Sequence, residues 1–272
     1  MLRKLAGRSE VAGRVANGTL HTPGDRTFTL SDLQSRVRSC VRCDALVRCR
    51  TQPVPGAGAV PAAVMFVGIA PGRHGGDRTG MPFSGDRSGK LLHEMIARAR
   101  LTGVFITNLV RCNPRDHWGR NRDPDTREIA NCRDHLRAEL AIAQPRVIAC
   151  LGHLAWRELA GPGRPFTPTR PATIRVDGVV LFPMYHPAYV NRGAYPVRRY
   201  RRDFRRLAGT IAKNAAGETS ASMGPRPAGI PNKGGVTPQR FDCSLVGRDA
   251  LPAASRPKFG AFTELRRQAG AL

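Results

Sequence analysis

Three polar segments of this 272-residue chain carry the side chains best suited to chemistry, and each follows a short apolar run. They are residues 71–88, 108–124 and 185–194. The first holds the carboxylates of Asp77 and Asp86, the second begins with the carboxamide of Asn108, and the third contains His186. A carboxamide both donates and accepts hydrogen bonds, and a histidine can donate one to a developing negative charge. The glycine-rich first segment matches neither a Walker A loop nor a dinucleotide fingerprint, so no nucleotide cofactor is predicted.

Four cysteines form a second candidate site. Cys40 and Cys43 make a CxxC pair, while Cys112 and Cys132 come later in the chain. Four thiolates from two separated segments can bind either Zn²⁺ or an iron–sulfur cluster. The alternative is that Cys112 and Cys132 are small buried residues, and Cys49 is a possible substitute ligand. The spacing alone leaves these choices open.

Alternating elements must position these side chains. Apolar runs typical of strands lie at residues 63–70, 104–108, 146–151, 174–176 and 179–184. Asp177-Gly178 between the last two predicts a hairpin. Strand, loop and helix otherwise alternate, which predicts a mainly parallel sheet with helices on both faces. Ligands bind beyond the carboxyl ends of such strands, so we expect the three polar segments to converge on one site.

Capping and composition predict the remaining boundaries. Ser88 is the predicted N-cap of a helix over residues 89–100, and Asp125 begins another helix. Residues 195–212 are predicted to form a final, very basic helix, whereas residues 51–61 contain several prolines and are predicted to be a loop.

The domain organisation follows from a change in composition. We predict a flexible segment at residues 1–29, one folded domain over residues 30–208, and a disordered basic tail at residues 209–272, where glycine and proline are frequent.

Charge and hydropathy restrict the class of partner. The chain has 44 Lys and Arg against 20 Asp and Glu, a formal net charge of +24, which favours a polyanionic partner. A bias of the genome towards arginine codons is the alternative source of part of this excess. No apolar run is long enough to cross a bilayer, and no signal peptide is evident, so a cytoplasmic protein is predicted.

Five motifs, taken in order, resemble the uracil-DNA glycosylase superfamily, in particular its iron–sulfur members of families 4 and 5. They are the CxxC pair, Gly-Ile-Ala-Pro-Gly at 68–72, Pro-Phe-Ser-Gly at 82–85, Thr-Asn-Leu-Val-Arg-Cys at 107–112 and His-Pro at 186–187. The resemblance covers residues 30–208. Family 4 typically has an acidic residue where this chain has Ile69, and the best-known branch has aspartate at the position of Ala70. The first loop is similar to family 5, whereas the segment after His186 is closer to family 4.

The resemblance implies a fold, an activity and a set of site residues. The fold would be a three-layer α/β/α structure with a central, mainly parallel four-stranded sheet. The activity would be hydrolytic excision of uracil from DNA in base excision repair, with other deaminated bases left open, by a monomer. His186 would stabilise the departing base, and Asp86 and Asn121 would position water. The base pocket would include Gly68, Ala70, Phe83 and Asn108.

The same resemblance implies a structural [4Fe–4S] cluster on Cys40, Cys43, Cys112 and Cys132. Asp77 is interpreted as a solvated carboxylate. The predicted phosphate contacts are all arginines: Arg73, Arg78, Arg192, Arg198, Arg199, Arg201 and Arg202. A non-catalytic nucleic-acid-binding protein with a structural metal site of four cysteines is the alternative, because Ala70 replaces the activating carboxylate of the best-known branch.

Overall fold

The computed structural model describes residues 28–221, together with two short strands before them. Most of the predicted segments 1–29 and 209–272 therefore lie outside the described residues. Within the described part, no helix is both long and apolar enough to span a membrane.

The strands are numbered in chain order. They are β1 (Val15–Ala16), β2 (Thr19–Leu20), β3 (Ala57–Gly58), β4 (Val64–Gly68), β5 (Val104–Asn108), β6 (Val147–Leu151), β7 (Ile174–Val176) and β8 (Val179–Met184). Strands β1 and β2 pair with each other, and the other six form the main sheet in the order β3-β5-β4-β6-β8-β7.

The centre of the main sheet confirms the predicted parallel arrangement. Strands β5, β4, β6 and β8 are parallel, and the edge strands β3 and β7 are antiparallel to their neighbours. The hairpin turn at Asp177-Gly178 is also confirmed, since both residues have positive φ angles of 48° and 82°. The prediction of an uninterrupted loop over residues 51–61 was wrong, because Ala57 and Gly58 pair with β5.

The helices are α1 (Leu30–Arg38), α2 (Asp44–Cys49), α3 (Gly76–Thr79), α4 (Arg87–Arg98), α5 (Thr126–Ala143), α6 (His153–Ala160), α7 (Pro187–Asn191) and α8 (Val197–Ala221). Asp125 caps α5 as predicted. Helix α4, however, is capped by Asp86 rather than Ser88 and begins two residues earlier than predicted. Helix α8 continues past residue 209, where the tail was predicted to begin.

Apolar side chains cover both faces of the sheet and make the predicted three layers. One face of the sheet packs with Leu136 of α5 and Trp156 of α6. The opposite face packs with Leu92 of α4 and with Tyr200 and Phe204 of α8. The two layers hold the strands rigidly, so the loops after β4, β5 and β8 project from one edge of a fixed scaffold.

Candidate active site

One cavity lies where the loops after β4, β5 and β8 meet. The predicted convergence of the three polar segments is therefore confirmed. All three contribute to its wall, through Ile69, Ala70, Pro71, Gly72, Phe83, Asp86, Asn108, Asn113, Pro114, Asn121, His186, Ala188 and Arg192. Every residue predicted to bind the base or act on it lies in this wall except Gly68, which directly precedes Ile69 at the end of β4.

Phe83 forms one wall, and two glycines make room for it. Its backbone has a φ of 51°, an uncommon conformation for a bulky residue. A Cβ on Gly68 would lie 2.6 Å from Cζ of Phe83 and 2.5 Å from Oδ1 of Asn108. A Cβ on Gly89 would lie 2.1 Å from the Phe83 carbonyl oxygen. Glycine at position 68 lets the Phe83 ring approach the end of β4, and glycine at position 89 lets the Phe83 backbone approach the start of α4.

Asn108 is the polar end of β5 and its amide is buried in the cavity wall. The residue is 1% exposed, and neither Oδ1 nor Nδ2 has a hydrogen-bond partner among the described residues. Buried polar atoms are nearly always hydrogen-bonded, and an unpaired one costs about 1–3 kcal/mol. An amide with both ends unpaired in a cavity wall is therefore suited to a ligand that offers one donor and one acceptor.

His186 faces Phe83 across the cavity, with ring centroids 5.5 Å apart. Its Nδ1 accepts a hydrogen bond from the backbone N–H of Ala188 at 3.1 Å. Burial of the imidazole, with a smaller effect from the Arg192 charge, lowers the pKa of His186 to about 4. The ring is therefore neutral at pH 7. Since Nδ1 is the acceptor, the proton is on Nε2, which is left to donate to a ligand.

Asp86 uses its two carboxylate oxygens differently. Oδ1 accepts the N–H of Gly89 at 2.8 Å and caps α4. Oδ2 points to the backbone of the first loop, where a Cβ would lie 3.0 Å away if placed on Gly72 and 2.3 Å away if placed on Gly75. The cap fixes the carboxylate, and the glycines keep the space around Oδ2 open.

Asn121 is held in place through its amide oxygen. Its Oδ1 accepts hydrogen bonds from the backbone N–H of Arg73 at 3.1 Å and from Nδ2 of Asn113 at 2.9 Å. A Cβ on Gly72 would be 3.8 Å from Asn121 Nδ2, in addition to its close approach to Asp86 Oδ2. The Asn121 amide donor and the Asp86 carboxylate thus face each other across Gly72.

The interpretation of Asp77 as solvated was wrong. The residue is 0% exposed, accepts the backbone N–H of Thr51 at 3.0 Å and pairs with Nη2 of Arg115 at 2.5 Å. Arg115 Nε in turn donates to Oδ1 of Asn113 at 2.8 Å, and Asn113 donates to Asn121. Asp77 therefore starts a chain of contacts that orients the Asn121 amide.

A model of the family described as "Uracil DNA glycosylase superfamily" matches residues 55–206, more than half of the chain. The chain belongs to the uracil-DNA glycosylase superfamily. The match includes the whole cavity wall described above, from the end of β4 to α7.

Relatives of this superfamily member carry two type names. A "Type-4 uracil-DNA glycosylase" of Archaeoglobus fulgidus is 43% identical over 129 residues, which are 47% of this chain and 61% of that protein. A "Type-5 uracil-DNA glycosylase" of Pyrobaculum aerophilum is 32% identical over 206 residues, 63% of this chain and 87% of that protein. A "Type-4 uracil-DNA glycosylase" of Sulfurisphaera tokodaii is 36% identical over an alignment that covers 59% of this chain and 74% of that protein. The predicted mixture of family 4 and family 5 features agrees with these names.

The predicted arginine contacts occupy three places in this uracil-DNA glycosylase superfamily fold. Arg192 lines the cavity, and Arg73 and Arg78 are exposed on the first loop. The others are exposed along the first turns of α8 and do not line the cavity: Arg198, Arg199, Arg201 and Arg202.

Sequence reasoning missed a basic groove beside the cavity. Arg87, Lys90 and His93 of α4 line it, together with His74 and Arg192. Arg87, Lys90 and His93 are spaced three residues apart on a helix and therefore lie on one face. This signal could have been read from the sequence.

The four predicted cysteine ligands line one small cavity, which is separate from the active-site cavity. Three of their sulfurs receive N–H donors: Cys112 from Arg50 Nη1 at 2.9 Å, Cys132 from the backbone of Arg111 at 3.3 Å, and Cys43 from Asn131 at 3.5 Å. Burial raises the pKa of Cys112 to about 12 and also raises the pKa values of Cys43 and Cys132.

The side chains around this cavity fit a thiolate-bound metal centre by their chemistry. His135 also lines this cavity, and its buried Nε2 has no hydrogen-bond partner among the described residues. N–H donors to three of the sulfurs suit a thiolate-bound group. Within the described part, however, no three His, Cys, Asp or Glu side chains are placed to hold a single metal ion. Cys49 does not line the cavity, and its thiol donates to the carbonyl of Asn113 at 3.5 Å.

Proposed function

We propose that this chain is a DNA glycosylase that takes uracil out of the DNA stack and hydrolyses its N-glycosidic bond. The observation that carries the proposal is the Asn108 amide, buried and unpaired at both ends beside Phe83 and a neutral His186. Uracil offers a flat face to Phe83 and an edge with one N–H donor and one carbonyl acceptor to the amide. An extruded base is read through such stacking and hydrogen bonds.

A neutral His186 assists cleavage of the glycosidic bond by donating a hydrogen bond to the departing base. As the bond between the sugar C1′ and the base nitrogen breaks, its electron pair goes to the base, and negative charge spreads onto the base oxygens. The Nε2–H of His186 donates to one of these oxygens, and this hydrogen bond strengthens as the charge develops. Burial keeps the imidazole neutral, so it acts as a hydrogen-bond donor that needs no proton from solvent.

Asp86 and Asn121 place the attacking water. Asn121 Nδ2 donates to the water oxygen, and Asp86 Oδ2 accepts one of its protons while the oxygen bonds to C1′. This pair takes the part that a carboxylate at the position of Ala70 would have. Among the described residues no lysine lines the cavity, which supports simple hydrolysis rather than attack by an amine.

DNA binding is assigned to the positive surface around the cavity. Arg192 lines the cavity, Arg73 and Arg78 are exposed on the first loop, the basic groove of α4 adjoins the cavity, and the α8 arginines add further positive charge. The chain is proposed to act as a cytoplasmic monomer. The range of excised bases beyond uracil stays open.

A [4Fe–4S] cluster on Cys40, Cys43, Cys112 and Cys132 is the proposed metal centre. Such a cluster would tie the chain before α2 to the segment after β5 and to α5, which is a structural role. The Arg50 guanidinium and the backbone N–H of Arg111 would donate hydrogen bonds to its thiolates. Protein purified without oxygen should be brown, with broad visible absorbance and about four irons per chain. A colourless protein with one zinc per chain would contradict this proposal.

An excision assay tests the proposed activity. A labelled duplex with one uracil is incubated with the protein and then treated with hot alkali, which breaks the strand at an abasic site. We expect cleavage at uracil and none in a matched duplex with thymine. Asn108→Ala should lower cleavage strongly while leaving the fold intact. DNA binding without strand cleavage by the wild-type chain would favour the alternative of a non-catalytic binding protein.

A further inference from the structure

The chain has two tryptophans in opposite environments. Trp156 is 1% exposed in the core, whereas Trp118 is 67% exposed in the loop between β5 and α5. Tryptophan is usually well buried because its large apolar surface is costly to hydrate. An indole left this exposed beside a functional site needs a reason.

The loop that carries Trp118 is a tight hairpin. Asp116 Oδ1 accepts the backbone N–H groups of Trp118 at 3.0 Å and Arg120 at 2.7 Å, and the Asp116 and Arg120 backbones pair at 2.9 Å. Arg115 and Asn121 form an antiparallel bridge at its base. The hairpin is closed by backbone contacts, so the indole is not needed to hold it.

The hairpin projects from the rim of the active-site cavity. Pro114 and Asn121 at its base line that cavity. Arg73 Nη1 donates to the carbonyl of Gly119 at 2.9 Å and fastens the tip to the loop after β4. The exposed indole therefore stands on a fixed support next to the point where a flipped nucleotide would enter.

The surroundings of the indole are suited to nucleic acid. The His117 ring lies against Trp118 with centroids 3.4 Å apart, and the Arg120 guanidinium lies 5.5 Å from the indole centroid. An exposed aromatic ring with an adjacent cation such as Arg120 can stack on a base while the cation neutralises a phosphate.

We propose that Trp118 stacks on an unpaired DNA base next to the flipped nucleotide. The inference deepens the proposed function, on which it rests for the identity of the partner. Its contact requires a base whose face is accessible, so single-stranded DNA and a duplex with an unpaired base should engage it, whereas a fully paired duplex should not.

Intrinsic fluorescence tests this contact directly, because only one of the two indoles can meet DNA. The probes are a single strand of 20 thymines, a duplex with a tetrahydrofuran abasic residue opposite guanine, and the fully paired duplex. The first two should quench the emission and protect the exposed indole from iodide, and the paired duplex should do neither. None contains uracil, so a failure of uracil excision would leave this result unaffected.

Three variants at one position separate stacking from bulk. Trp118→Ala should weaken binding of the thymine strand about tenfold, the scale for losing one stacked base. Trp118→Leu keeps apolar bulk without a ring and should weaken it similarly, whereas Trp118→Phe should stay within about threefold of wild type. Quenching that persists in Trp118→Phe, or equal affinity of the wild type and the Ala variant, would overturn the proposal.

Discussion

Replacing His186 with alanine removes the proposed hydrogen-bond donor to the departing base. The imidazole accepts from Ala188 through Nδ1 and presents Nε2–H to the cavity opposite Phe83. The hydrogen bond to the base strengthens only as charge develops, so its loss acts on the cleavage step rather than on DNA binding.

The expected size of the effect comes from the loss of one buried donor. Such a loss lowers the rate of the chemical step by a factor of about 10²–10³, which corresponds to about 2.7–4 kcal/mol of activation free energy. The accompanying loss of the helix cap costs stability, on the order of 1 kcal/mol, and no rate by itself. His186→Asn is the matched control, because its side-chain oxygen can accept from Ala188 while its shorter amide does not extend to the position of His186 Nε2.

Single-turnover cleavage with enzyme in excess isolates the chemical step. We expect His186→Ala and His186→Asn to be slower by similar factors, with DNA dissociation constants within about twofold of wild type. Because the pKa of His186 is lowered to about 4, its imidazolium forms only below the working pH range. The ratio of wild-type to variant rates should therefore be constant from about pH 5.5 to about pH 8.

Two results would refute this reasoning. A ratio that grows as the pH falls through about 6.5, the ordinary pKa of histidine, would mean that the imidazolium is the active form. Near wild-type cleavage by His186→Ala, with cleavage abolished by Asp86→Ala, would make Asp86 the principal catalytic group.

Four further changes test the rest of the site. Asp86→Asn keeps the cap on α4 and loses the proton acceptor, so single-turnover cleavage should fall about 10- to 100-fold with little change in melting temperature; a rate equal to wild type would exclude proton acceptance by Asp86. Gly75→Ala should slow cleavage as well, because its Cβ would displace Asp86 Oδ2, and unchanged kinetics would contradict the described geometry. Asp77→Asn weakens the ion pair with Arg115, which belongs to the chain of contacts that orients Asn121. Cleavage should therefore slow while the DNA dissociation constant stays constant. A change in affinity alone would argue against a positioning role of Asp77. Replacing the α8 arginines with alanine should weaken binding to all DNA sequences. The slope of log K against log salt should become less steep by up to about 1 for each phosphate that is no longer neutralised. An unchanged slope would exclude phosphate binding by these side chains. These arginines are Arg198, Arg199, Arg201 and Arg202.

The strands and their convergence were predictable because their signals are local. Short apolar runs mark β4, β5, β6 and β8, and parallel topology then brings their polar ends together. The turn at Asp177-Gly178 is likewise set by two adjacent residues.

Two features of the site were not predictable from residue types and their spacing. Ser88 and Asp86 are both good N-caps and lie two residues apart, so residue type alone does not choose between them, and in the structure Asp86 is the cap. The burial of Asp77 depends on partners 26 and 38 positions away along the chain. Neither is visible in a pattern of neighbouring residues.

A structure of the chain bound to DNA that contains a 2′-fluorinated deoxyuridine, whose glycosidic bond resists hydrolysis, tests the proposed base pocket most directly. We predict that the uracil lies in the cavity with one face on Phe83 and its edge paired with the Asn108 amide. A base oxygen should lie within hydrogen-bond distance of His186 Nε2, and a water should lie between Asp86 and Asn121. A uracil that stays stacked in the duplex, or binds outside this cavity, would contradict the proposed function of the site.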